Sequence, residues 1–129
     1  MLKNFEYDFS SKEAEFLLKV INNDFSSLNE YLLFHLEVID VALTKLKEEP
    51  NSAVEVSAVK ELFDVYLLAD KVLTLTDKRR KSIKLKNSKF EAIKTNAKSV
   101  VNGVEKVAEL NKEHLIKKDA LTFFIYLSS

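Results

Sequence analysis

From Ile83 onward the chain carries two interlocking series at a spacing of seven. Ile83, Phe90, Ala97, Val104 and Asn111 form the first; Ile93, Val100, Val107 and His114 form the second. A seven-residue repeat keeps both series on one side of a helix, so the pattern predicts a coiled-coil-like packing edge along a helix over 83–127, interrupted at Lys86. Its members Ile83, Phe90, Ile93, Ala97, Val100, Val104, Val107 and Asn111 make a candidate self-association seam. They are expected to bury against a second copy or against the helices that precede them. Asn111 is the polar member, a residue type that can set register and oligomeric state. Gly103 falls on the far side of the seam, where it marks a close approach or a weak point, since glycine in a helix costs about 1 kcal/mol against alanine.

Three earlier segments have the same periodicity. Phe16, Leu17, Val20 and Ile21 give a helix over 11–23, ended by Asn22-Asn23-Asp24. Those side chains compete for backbone hydrogen bonds and favour turns. Leu28, Leu32, His35, Ile39, Ala42 and Leu46 give a second helix over 27–48, stopped by Pro50. Tyr31, Val38 and Leu43 widen its stripe, and Phe34, Leu36 and Val41 lie outside it. So broad an apolar surface predicts a helix covered on more than one side, or one used in an oligomer. Val59, Leu62, Tyr66, Ala69, Leu73 and Thr76 give a third helix over 53–77, opened by the capping signal Ser52-Ala-Val-Glu55. The motifs Asp8-Phe-Ser-Ser11 and Asp24-Phe-Ser-Ser27 look like a repeat, but Ser10-x-x-Glu13 and Ser27-x-x-Glu30 each read as a capping box, so shared helix-start chemistry explains them. The expected fold is all-α: a single-domain helical bundle of about four helices.

The third and fourth stripes are out of phase across 77–86. That mismatch favours a bend within 76–89 over one uninterrupted helix, although the stretch holds neither glycine nor proline. It coincides with a basic block, Lys78, Arg79, Arg80, Lys81, Lys84, Lys86 and Lys89, the candidate polyanion-binding residues. Clustered cations suit phosphates, but no aromatic residue lies within the block to stack on bases and no nucleic-acid-binding motif accompanies it. A solvated face, or a partner for acidic helices, is therefore the preferred reading, ahead of nucleic acid and of an anionic membrane surface.

Charge gives the block more weight. The net charge is zero, yet residues 1–77 hold 7 Lys/Arg against 15 Asp/Glu, a net of −8, and residues 78–129 hold 13 against 5, a net of +8. Because the halves cancel, packing of one against the other, within the chain or across a dimer, is favoured over an external polyanion. One glycine and one proline in 129 residues is scant provision for sheets and tight turns.

Near the end, Phe123, Phe124, Ile125, Tyr126 and Leu127 form an apolar run, the candidate C-terminal docking segment. It is far shorter than the roughly 20 apolar residues of a membrane span, so docking in protein is expected. The opening residues carry Glu6 and Asp8 and no apolar stretch of signal-peptide type, and there is no cysteine; the expected location is cytoplasmic.

Candidate chemistry adds little. Leu32 and Asn111 stand three residues before His35 and His114, so neither the zinc-protease helix nor the di-iron bundle motif is present. No glycine-rich phosphate loop or nucleophile elbow occurs. No catalytic residue, metal site or cofactor is expected. In size and in its Lys-, Phe- and Leu-rich, cysteine-free composition the whole chain resembles accessory proteins of AT-rich bacterial genomes, plasmids and prophages, among them small hemolysin or holin accessory proteins of spirochaete prophages. No motif carries that resemblance and it implies no site residue. The expected function is that of a non-enzymatic helical interaction protein forming a homodimer; the alternatives are a nucleic-acid binder using the basic block and a membrane-associated lysis accessory protein.

Overall fold

A computed structural model of the protein describes residues 11–48 and 56–111. They form four α-helices packed against one another, with no strand among them: α1 (Ser11–Asn23), α2 (Phe25–Glu48), α3 (Val56–Lys78) and α4 (Asn87–Asn111). A single 3-10 turn, Arg80–Ser82, lies between α3 and α4.

The break between α1 and α2 is one residue long. Asp24 N–H donates to Val20 O, and Asp24 O accepts from Leu28 N–H. The second bond makes Asp24 the residue that opens α2, as the carbonyl of an N-cap accepts the first helical bond. The helix therefore resumes before Ser27, which lies inside α2, and the reading of Ser27-x-x-Glu30 as a helix-start box does not hold. Ser10 and Ser52–Glu55 lie outside the described residues.

The bend predicted at the basic block is present. Arg79 N–H still donates to Leu75 O, closing α3, and the chain then turns through the 3-10 segment into extended backbone at Ile83 (φ −94°, ψ 113°). No described non-glycine residue has positive φ, so lysines and arginines make this elbow without left-handed backbone. Consequently α4 starts at Asn87 rather than 83, and Ile83 is a buried plug in the elbow rather than a helical residue.

Helix directions follow from two contacts. Asn29, near the start of α2, meets Asn96 of α4, and Ile39 meets Gly103 further along both. These helices are therefore parallel, and α3, joined to α4 by the elbow, runs antiparallel to α4. α4 packs extensively along both α2 and α3, which touch each other much less. Its buried positions Phe90, Ile93, Ala97, Val100, Val104, Val107 and Ala108 fill the centre of the core. Around them lie Leu28, Leu32, Ile39 and Leu46 of α2, and Leu62, Val65, Tyr66, Ala69, Val72 and Leu75 of α3. Val65, Val72 and Leu75 were not on the stripe assigned to α3 from sequence, whose Leu73 is only half-buried. On α1 the covered face is Ala14, Leu17, Leu18 and Ile21, whereas Phe16 is 70% exposed.

Gly103 is not remote from the packing. A β-carbon placed there would lie 2.7 Å from Ile39 Cγ2, below any normal contact, so the absent side chain lets α4 approach α2. On the α3 side, burial raises the pKa of the Glu105 carboxyl, with the Asp70 carboxylate pushing the same way. Burial likewise raises the pKa of the Tyr66 phenol, and Asp70 and Glu105 add to the effect. No described helix is long and apolar enough to cross a membrane.

Candidate functional site

The α4 seam is consumed within the chain. Phe90, Ile93, Ala97, Val100, Val104 and Val107 are all buried, and so is Ile83 in the elbow. Of the two coverings expected for this seam, the described structure provides the internal one. The side chain of Asn111 lies outside the described residues, as do His114 and the segment Phe123, Phe124, Ile125, Tyr126 and Leu127.

Among the described residues, α2 carries most of the exposed large apolar side chains, with Phe16 of α1 and Leu110 of α4 exposed singly. Tyr31, Phe34, Val38 and Val41 are spaced by three, four and three, so they share one side of the helix. Phe34 is 57% exposed, Val41 68% and Tyr31 41%, and Val38 is half-buried. Phe34, Glu37, Val38 and Val41 line a shallow apolar groove of about 290 Å³ there. This stripe adjoins the start of α3: burial and the carboxylates of Asp64 and Glu61 raise the pKa of the Tyr31 phenol. Between stripe and core sits His35, buried, its ring 4.4 Å from that of Tyr31 and edge-on to Phe34 at 5.2 Å between centroids. Its Nδ1 is 2.9 Å from Tyr31 O and its Nε2 3.2 Å from Glu61 Oε1. A carbonyl and a carboxylate both accept, so both bonds form together only when both ring nitrogens carry a proton. His35 thus ties α2 to α3 and supports the aromatic stripe from behind.

The elbow divides the basic block into separate roles. Arg79 Nη2 donates to Glu15 Oε1 of α1 at 3.0 Å, joining the acidic and basic halves of the chain. Arg80 stacks over the buried Phe90 ring, 3.7 Å from its centroid, and reaches Ile83 O at 3.4 Å; cation–π stacking spends it on the fold. Lys89 lies 5.5 Å from the Phe25 centroid. Lys78, Lys81, Lys84 and Lys86 are exposed.

Holding this elbow is a residue the sequence reading treated only as a helix terminator. Asn22 Nδ2 donates to Ser82 O at 2.9 Å, and Asn22 Oδ1 accepts from Lys84 N–H at 2.6 Å. One side-chain amide thereby pairs with the elbow backbone as a neighbouring strand would. Glu13 Oε2, 3.0 Å from Lys71 Nζ, adds a second link from α1, to α3. Between α1 and the elbow opens a cleft of about 410 Å³ with Lys19, Asn22, Asn23, Arg79, Ser82 and Lys84 on its walls. Lys19 was not among the predicted basic residues, because its neighbourhood with Lys84 exists only after folding.

Among the described residues no group of three or more His, Cys, Asp or Glu side chains could hold a metal ion. Comparisons with protein families, with curated proteins and with solved structures returned no match.

Proposed function

We propose that this chain is a non-enzymatic helical interaction protein that self-associates through the outer face of α2. The supporting observation is the stripe on α2, with Tyr31, Phe34 and Val41 exposed and Val38 half-buried between them, while the stronger heptad pattern of α4 is internally covered. Two aromatic rings and two valines aligned on one helix and rimmed by charge are the composition of an interface centre rather than of ordinary surface.

A second copy suits this stripe better than an unrelated helix because the stripe is self-complementary. Its large residues, Tyr31 and Phe34, lie toward the start of α2, and its small ones, Val38 and Val41, toward the end. A two-fold axis puts the same patch on both subunits. Antiparallel pairing of two α2 helices sets Tyr31 opposite the partner's Val41 and Phe34 opposite the partner's Val38, large against small. It also brings Lys45 and Lys47 in the last turn of one helix toward the start of the other, which Asp24 precedes and where Glu30 lies in the second turn.

Sedimentation of the full chain across the micromolar range tests this. A concentration-dependent dimer is expected, weakened at least tenfold, about 1.4 kcal/mol, by Phe34→Asp or by Val41→Asp. Both side chains are exposed, so circular dichroism should report an unchanged fold. A wild-type chain still monomeric at about 100 μM overturns the proposal. So does a dimer indifferent to both substitutions. A full-length monomer that begins to dimerise when residues 112–129 are removed overturns it too, by making that segment the occupant of the stripe.

A further inference from the structure

We infer that the cleft between α1 and the elbow is a binding site for a phosphate-bearing small molecule. The cleft combines three features that such a ligand needs. The first is converging charge: Lys19 of α1, Arg79 and Lys84 line one space, against the single carboxylate of Glu15. The excess is two positive charges, within the range that a phosphate or diphosphate neutralises.

The second is unspent cations. Neither the Lys19 nor the Lys84 ammonium has an ion-pair partner among the described residues. Arg79 uses Nη2 on Glu15 Oε1, and its guanidinium has further N–H donors, since arginine presents five in a fixed fork suited to phosphate oxygens. Ser82 and Asn23 add neutral side-chain groups to the same walls.

The third is rigidity. Lysines on a mobile loop make a diffuse field; here the loop is fastened. The two bonds from Asn22 to Ser82 O and Lys84 N–H hold the elbow backbone against the end of α1, and the Arg79–Glu15 pair holds it a second time. Ile83, between Ser82 and Lys84, is buried in the core and anchors the segment from beneath. A site fixed on both walls loses less entropy when a ligand orders it. The volume of about 410 Å³ falls within the range of small-molecule sites.

A small phosphorylated ligand fits this arrangement better than a nucleic-acid strand. The useful cations converge in one cleft, while Arg80 is stacked on Phe90 and Lys89 lies near Phe25, so the block offers no continuous row along a backbone. The inference is independent of the α2 interface, which lies on a different part of the molecule.

Inorganic pyrophosphate is the probe, titrated into the full-length protein at low salt and followed by amide chemical shifts. Saturable shifts are expected at Lys19, Asn23, Ser82 and Lys84, with a Kd of roughly 1 mM or tighter. Lys19→Glu and Lys84→Glu should each weaken binding at least tenfold without changing the thermal midpoint, both side chains being exposed. Lys81→Glu and Lys86→Glu, outside the cleft lining, should change it less than twofold. No saturable shift at about 10 mM pyrophosphate overturns the site. Equal losses from all four reversals also overturn it, showing a diffuse cationic surface. A short DNA duplex that binds more tightly than pyrophosphate and depends equally on Lys78, Lys81 and Lys86 overturns it in favour of a polyanion face.

Discussion

Gly103 and Ile39 set how closely two helices approach. The methyl group of alanine would meet Ile39 Cγ2 at 2.7 Å, and Ile39 is buried with little room to move. Gly103→Ala improves helix propensity by about 1 kcal/mol, but overpacking of this kind costs about 1–3 kcal/mol. Net destabilisation is expected in urea unfolding. Ile39→Leu removes the β-branch that clashes, so in the double variant the loss should be smaller than the sum of the two single losses.

Glu105 acts through its charge. Burial raises its carboxyl pKa in the folded protein above the unfolded value, so the ionised form is held less well by the fold than by water. Its contribution is therefore favourable below the unfolded pKa and is lost as pH rises through the folded one. Glu105→Gln should raise the thermal midpoint at pH 7, and the gain should shrink toward zero as pH falls below the ordinary glutamate range. A gain that persists undiminished in acid would contradict this account.

Among the elements, the elbow has the least conventional construction. Glycine or proline usually makes a sharp reversal between helices, and here neither is present; the turn is specified from outside by α1. Asn22→Ala would leave Ser82 O and Lys84 N–H without their protein partners, and the loss of two such bonds costs about 1–3 kcal/mol. The thermal midpoint should fall accordingly, and amide exchange at Lys84 should accelerate more than exchange in the centre of α4. Asn22→Asp separates the two bonds, since a carboxylate still accepts from Lys84 N–H but cannot donate to Ser82 O. It should retain part of the protection. Exchange at Lys84 that matches wild type in Asn22→Ala would show that the elbow stands without the clamp.

For the whole molecule, the consequence of internal packing is that the most regular hydrophobic pattern and the exposed stripe of aromatic and valine side chains belong to different helices. α4 lies between α2 and α3 and has no apolar face left along its seam; α2 has one. If two α2 faces meet, folding and association are linked, and the thermal midpoint should rise with protein concentration. Phe34→Asp should abolish that dependence while leaving the midpoint at low concentration close to wild type. A midpoint independent of concentration in the wild type would stand against the dimer.

Sequence alone determined the all-α class, the α1–α2 break at Asn22-Asn23-Asp24 and the buried positions of α4, because each depends on local propensity or on periodicity along one helix. The phase mismatch across 77–86 favoured a bend at the basic block over one continuous helix, and the clamp from Asn22 of α1 decided it. The heptads of α4 show that the seam must be covered, though not by what, since a facing helix from the same chain and one from a second copy satisfy the same pattern. The covered face of α3 was legible only in part for a related reason: Leu62, Tyr66, Ala69 and Thr76 are buried as their spacing predicts, but Leu73 is half-buried and Val65, Val72 and Leu75 were missed. Val65, Val72 and Leu75 share the helix with Leu67, Leu68 and Leu73, and only the positions of α1, α2 and α4 decide which set turns inward.

Tertiary structure alone decided what the polar residues do. Asn22 reads as a helix breaker in isolation and becomes a two-bond clamp across 60 residues of chain. Lys19 reads as a solvated lysine and joins a cleft with Lys84; Arg80 reads as a polyanion ligand and is stacked on Phe90. Hydrophobic burial depends on area and repeats along the chain, so sequence displays it. Hydrogen bonds and stacking depend on direction and on partners distant in sequence, and those come into existence only when the helices are in place.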